Sequence, residues 1–346
     1  MELIEIDPPI NSRYENFREQ CREFVNSISG DVYDFLFSNL SERKIRVLVG
    51  LPTSPVHLYL ASLATTGHYV KDMRTLLLYY VKGFEDVFLR TFVHETGHVF
   101  FEPLARPPSE VSRDELVLYK VVDESVANYF VFRFECDKNF IDYVEKLTDF
   151  FRGHTVREGV GYHMAHIIAP RVISYVLYRS GLMTMETLKD LGKDYGRIIS
   201  LLRRVPDESL RKPAASVLYS VKLIDDDGLG EFGFSPDEYQ MVSLKEMFQK
   251  APEEKMDELT TGIMIVIACL LRMTSTRGKE FVIGKFGKLF RELKRMDFIH
   301  KHFMLFLEKP QDFLGAMDLT VPGILNTVNA LSEEDMIEMI SMTFGV

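Results

Sequence analysis

Cysteine is scarce in this chain, with three residues in 346, at Cys21, Cys136 and Cys269. They are odd in number, far apart and form no CxxC pair. That excludes a disulfide framework and a cysteine-based zinc site, and it fits free thiols in a reducing compartment. Each reads as a small apolar filler. Long hydrophobic runs are also missing. The most apolar stretch, Gly262 to Leu271, is half the roughly 20 residues that a membrane span requires, so it reads as a buried core helix. The opening MELIEIDPPINS has neither a basic n-region nor an apolar h-region, so no signal peptide is expected and the cytoplasm is the predicted location.

Positive charge is in deficit, with 41 Lys and Arg against 51 Asp and Glu and a formal net charge of -10. A nucleic-acid partner would demand a basic face able to displace counterions, so no nucleic acid is expected as a partner. No GxxxxGK[ST] phosphate loop occurs, and Gly284-x-x-Gly287 does not make one. Internal repeats and low-complexity tracts are absent. What remains is an ordinary folded composition, 46% apolar and 27% charged, with length for about two domains.

Periodicity places helices over 12–40, where Phe17, Cys21, Phe24 and Val25 recur at helical spacing. IRVLVG (45–50) reads as a strand, and LYLASLA, TGHYV and TLLLYYV within 58–80 read as further strands. A helix over 84–101 has Glu85 and Asp86 in its first turn, where the helix dipole favours acids. Another runs from 112 to 136, with Ser112 and Glu115 spaced as a capping box. Helices at 138–152, 161–180 and 184–203 follow, then a boundary or exposed excursion over 204–240, then a mainly helical 241–346. The basic, amphipathic 272–301 reads as a solvated helix face. His57 and His68, among the expected strands, read as surface or hydrogen-bonded histidines.

The sharpest signal is HETGH at 94–98. His94 and His98, one helical turn apart on one face, can reach a single ion. Glu95 sits about 100° round the helix, beside rather than on the metal. Zinc lowers the pKa of a bound water to about 7, and a neighbouring carboxylate can take that proton. A catalytic zinc keeps three protein ligands and one open position, so a third is needed. The helix around VVDESVANYF (121–130) is apolar nearly all round, which marks it as buried. An acid in its middle calls for a cation, and both Asp123 and Glu124 qualify. Glu124 shares its face with Val121, Ala127 and Asn128. Small Ala127 and Gly97 would let the two helices approach closely, and Asn128 is placed to hydrogen-bond the outer nitrogen of a ligand histidine.

His94-Glu95-x-x-His98 followed by Glu124-x-x-Ala127-Asn128 resembles the gluzincin metallopeptidases. The pairing of HExGH with E-x-x-A-N-x-F is similar to the ImmA/IrrE-like branch. The resemblance covers roughly 84–135 and extends to 155–180. It implies His94, His98 and Glu124 as zinc ligands and Glu95 as general base and acid. It also implies a zincin fold, with a small sheet above the active helix. The third His of the metzincin pattern is missing, since Val99 to Pro108 contain none.

Peptide hydrolysis also needs a donor for the developing oxyanion. Within GYHMAHIIAP (161–170), Tyr162 with Ala165 resembles the tyrosine that supplies it in several gluzincins; His163, His166 and His154 are alternatives. The expected protein is therefore α+β and predominantly α, with a zincin-like catalytic domain over 1–205 and a mainly helical domain over 206–346. Its expected activity is zinc-dependent cleavage of peptide or protein substrates. The alternative is a non-catalytic or regulatory zinc-binding protein that acts through a protein partner.

Overall fold

A computed structural model describes residues 4–112, 115–157, 164–252, 258–320 and 323–346. It is α+β and predominantly helical, as expected. The chain opens on a strand that sequence reasoning missed, β1 (Ile4–Asp7), followed by α1 (Phe17–Ser27) and α2 (Gly30–Arg43). β2 (Arg46–Gly50), β3 (Gly67–Val70) and β4 (Thr75–Tyr79) lie where the β-branched and apolar runs place them. LYLASLA, however, is not a strand. It belongs to helix α3 (Pro55–Ser62), which opens on Ser54, whose hydroxyl accepts from the His57 N–H, and on Pro55 in the first turn. Those two N-terminal signals decide the element, and its run is continuously apolar because nearly every side is buried.

Together the strands form one sheet in the order β1-β2-β4-β3, parallel except for β3, which runs antiparallel to β4. Parallel strands covered on both faces show continuous apolar runs instead of alternation. Val47, Leu48 and Val49 on β2 and Leu76, Leu77 and Leu78 on β4 are accordingly all buried.

Helices α4 (Glu85–Phe101), α5 (Leu116–Arg133) and α6 (Lys138–Phe151) follow the sequence reading. Ser112 and Glu115 exchange the two expected hydrogen bonds, at 3.3 and 3.2 Å, but α5 itself begins at Leu116 with Glu115, not Ser112, at its N-cap. Beyond β5 (His154–Val156) come a π-helical turn (Met164–Ile168) and α7 (Ala169–Ser180). The single helix expected over 184–203 is two, α8 (Met185–Lys193) and α9 (Arg197–Arg203). Residues 204–240 are not an exposed excursion. They contain α10 (Glu208–Ser220), in which Ala214, Ala215, Val217 and Leu218 are fully buried. Pro213 sits inside this helix and has no N–H for the Ser209 carbonyl; Arg152 Nε donates to that carbonyl instead, at 2.9 Å. Next come α11 (Asp226–Glu231), β6 (Gln240–Val242) and α12 (Leu244–Lys250). The last seven helices are α13 (Glu258–Arg277), α14 (Lys279–Lys285), α15 (Gly287–Leu293), α16 (Asp297–Glu308), α17 (Pro310–Thr320), α18 (Ile324–Asn329) and α19 (Glu333–Phe344).

Two compact units result, one of Met1–Tyr33, Leu40–Phe92 and Met256–Val346, the other of Asp34–Asn39 and Val93–Lys255. They do not part at residue 205. Strand β5 pairs in parallel with β6, and α10 packs on α6 and α7, so the chain on both sides of 205 shares one unit. Residues beyond 255 join the N-terminal segments because α13 packs on α3.

In the first unit α13 is the central helix. Ile263, Met264, Ile267 and Leu271 are buried in one core with Leu58, Leu77, Phe303 and Phe344. By length and composition α13 could cross a membrane, yet 61% of its most apolar window is buried inside the protein. The core reading of 262–271 describes what it does here. His57 is buried, with its ring stacked on Tyr79 at 3.8 Å and Nδ1 accepting from the Thr53 N–H at 3.0 Å. Asp7, at the end of β1, accepts from the Val56 N–H at the start of α3, at 3.0 Å. Burial pushes its carboxyl up to about 6, against the opposing pull of that hydrogen bond and of Arg295.

In the second unit α5 lies along α7, which also packs on α6 and α10. Phe132 of α5 meets Tyr175 of α7 edge-on at 5.6 Å and stacks on Phe140 of α6 at 5.8 Å. This packing fixes the helix that carries Asp123 and Glu124.

Candidate metal centre

The site is built where α4 and α5 touch. Gly97 makes the contact possible, since a Cβ there would lie 2.7 Å from Ala127 Cα, a backbone atom that cannot swing aside. A glycine within a helix costs about 1 kcal/mol relative to alanine, and here close approach is its reason. The loop joining the two helices is pinned as well. Arg106 pairs with Glu115 at 2.9 Å, and its carbonyl accepts from the Tyr195 hydroxyl at 2.8 Å.

With the helices so close, the expected ligands converge. His94 Nε2 and His98 Nε2 are 3.2 Å apart, and Glu124 Oε2 lies 3.4 Å from the first and 3.8 Å from the second. A point equidistant from these three atoms lies about 2 Å from each, which is the bond length of zinc to imidazole nitrogen or carboxylate oxygen. His94, His98 and Glu124 thus form a group able to hold a metal ion. Their side chains keep between 14% and 20% of their surface exposed, so the group is neither sealed in the core nor on the open surface. Glu95 is buried to 7% exposure, and its charge is felt at the His98 ring.

Asp123 is not a ligand of this group. Its Oδ1 lies 3.2 Å from His98 Nδ1, the ring nitrogen turned away from the other two ligands. An N–H donated there fixes the tautomer and leaves the Nε2 lone pair facing His94 Nε2 and Glu124 Oε2. That role was expected of Asn128, whose amide instead donates to the Glu124 carbonyl within the same helix at 2.9 Å.

Electrostatics point the same way. Burial opposes a positive charge on His98, but Asp123, Glu124 and Glu95 outweigh it and raise the ring to about 10. Burial likewise disfavours ionised Glu124, yet His98, His166 and His94 bring its carboxyl well below the usual range. The pocket favours positive charge, and a proton and a metal ion compete for it.

Of the candidate transition-state donors, the structure brings His166 to the site, with Nδ1 3.8 Å from Glu124 Oε1. It stands on the π-helical turn, the kind of widened turn found often at functional sites. Pro170, which lacks an N–H for the His166 carbonyl, keeps α7 from extending backwards as a regular α-helix. His154 lies elsewhere, stacked on Phe150 at 4.2 Å with Nδ1 against the Phe150 carbonyl. Tyr162 and His163 lie outside the described residues. No family model, curated protein or solved structure matches the chain.

Proposed function

We propose that this protein is a zinc-dependent metallohydrolase of the gluzincin type that cleaves peptide bonds, with His94, His98 and Glu124 as metal ligands. The observation that carries the reading is the spacing of the three ligand atoms, 3.2, 3.4 and 3.8 Å apart, beside a buried Glu95. The donor set suits zinc, since two imidazoles and one carboxylate are a known catalytic combination that leaves a fourth position open. A zincin-type core around α4 belongs to the same proposal.

Zinc bound there would lower the pKa of a water and polarise the scissile carbonyl. The chain's own groups do the rest. Glu95, adjacent to a ligand on the same helix, takes the proton of the attacking water and delivers it to the leaving amine. Asp123 holds the His98 ring in the tautomer the metal needs.

Elemental analysis of protein purified without chelator tests the metal, and Glu95→Gln tests the chemistry. We expect about one zinc per chain in the wild type and a clear loss in Glu124→Ala. Glu95→Gln should keep its zinc and lose hydrolysis of any peptide the wild type cleaves. Retained hydrolysis by Glu95→Gln would sink the mechanism, and a wild type that takes up no zinc would sink the site.

A further inference from the structure

We infer that His166 is a positioning residue for Glu124, occupying one carboxylate oxygen so that only the other faces the metal. The inference rests on the zinc-site reading above and concerns how that site keeps its open position.

The two oxygens of Glu124 face different partners. Oε2 points to the histidine pair, 3.4 Å from His94 Nε2 and 3.8 Å from His98 Nε2, whereas Oε1 points to His166 Nδ1 at 3.8 Å. A carboxylate can bind a cation through one oxygen or both, and the terminal torsion that decides between them is broad. Unopposed, rotation about that torsion can bring both oxygens to the metal beside the water, raising the coordination from four to five and crowding the open position. The His166 ring nitrogen, at ion-pair rather than hydrogen-bond distance from Oε1, opposes that rotation, because bidentate binding would have to break the contact.

The fold holds this ring in place. His166 is flanked by Met164, Ala165 and Ile168, whose side chains are buried and anchor the π turn. The turn leads into α7, which lies along α5, the helix that carries Glu124. His166 thus reaches the ligand from a separate element. Asp123 on α5 orients His98, and His166 from the π turn orients Glu124, so two ligands have their own outer partner.

Cobalt(II) reports the difference directly, because its visible absorption is intense when four-coordinate and weak when five- or six-coordinate. Co2+ would be titrated into metal-free wild type, His166→Ala and His166→Asn, with circular dichroism to verify folding. Asparagine places an amide N–H where Nδ1 stands. The wild type should give intense bands. His166→Ala should give weak bands and bind Co2+ about 10–100-fold less tightly, the usual effect of losing an outer-shell partner. His166→Asn should restore both. If the alanine variant does not fold, His166→Asn against His166→Leu makes the same comparison between a donor and an apolar group. Wild-type bands and affinity in His166→Ala, or an asparagine variant no better than the apolar one, overturn the inference while leaving the metal site intact. A wild type without visible bands would remove the metal site itself.

Discussion

Asp123 Oδ1 sits 3.2 Å from His98 Nδ1, on the side of the ring opposite Glu124. Consecutive residues of α5 thus approach the same ring from two directions, Glu124 on the side of Nε2 and Asp123 on the side of Nδ1. Asp123→Ala should reduce zinc affinity about 10–100-fold and leave the folded state intact. Asp123→Asn, whose side-chain oxygen can still accept from Nδ1, should recover part of that loss. Competition against a chelator of known affinity measures both; an alanine variant as tight as wild type would show that the contact is incidental.

Gly97→Ala should damage structure and site together. The added methyl gains at most about 1 kcal/mol of helix propensity, but it meets Ala127 Cα at 2.7 Å. Forcing such a contact costs about 1–3 kcal/mol. Ala127 lies one turn after Glu124, so separating the helices also withdraws the carboxylate from the histidines. Urea unfolding and zinc content of the variant check the two effects, and a stable, fully metallated Gly97→Ala would contradict the packing argument.

Metal removal should lower stability by mass action. Free zinc at 100 times its dissociation constant stabilises the binding-competent fold by about 2.7 kcal/mol, which for a unit of this size corresponds to roughly 5–10 °C in the unfolding midpoint. Calorimetry with and without chelator should show that shift in the wild type and none in Glu124→Ala. Equal shifts in both proteins would mean that the stabilising ion binds elsewhere.

A pH effect is expected from the first unit, far from any ligand in sequence. Asp7 has a carboxyl raised to about 6 from an ordinary 3.8, with burial as the leading cause. A raised acid binds its proton more tightly folded than unfolded. Its contribution is therefore fully present below about pH 4 and is lost as the pH climbs through about 6, on the order of 3 kcal/mol in total. Asp7→Asn, which keeps an oxygen for the Val56 N–H, should match the wild type near pH 4 and exceed it at pH 7. Urea denaturation across that range decides the matter; a constant difference between the two proteins would remove Asp7 as the cause.

The site was more legible than the fold around it. HETGH could be placed from helical spacing, because two histidines one turn apart share a face; an acid in an apolar helix narrowed the third member to Asp123 or Glu124, and the resemblance to E-x-x-A-N-x-F favoured Glu124. Glycine and alanine likewise announced the close approach of α4 and α5. Asp123 as orienter was not legible, since adjacent acids on one helix look alike until the partner ring is in place. The π turn was hidden too, because its sequence, MAHII, carries no mark distinguishing it from an α-helix; Pro170 was the one available hint. In the fold, LYLASLA misled because a helix buried on nearly every side shows no period, and the informative residues were Ser54 and Pro55 ahead of it. KPAAS misled through Pro213, which reads as a helix breaker until Arg152 takes up the carbonyl it leaves unbonded. Nothing local could reveal that α13 returns to α3, because that pairing links segments some two hundred residues apart.

The arrangement of the two units sets an order for their birth on the ribosome. The unit built on β1, β2 and α13 draws on chain from both ends, Met1–Phe92 for the most part and Met256–Val346. Its sheet must wait, with Leu58 and Leu77 uncovered, until the last helices are synthesised. The unit that holds His94, His98 and Glu124 needs nothing made after Lys255. Domains generally fold as units while the chain grows, so His94, His98 and Glu124 can come together while half of the other core is still unmade. The waiting segments, rich in exposed apolar surface, are then the part of the nascent chain most in need of a chaperone.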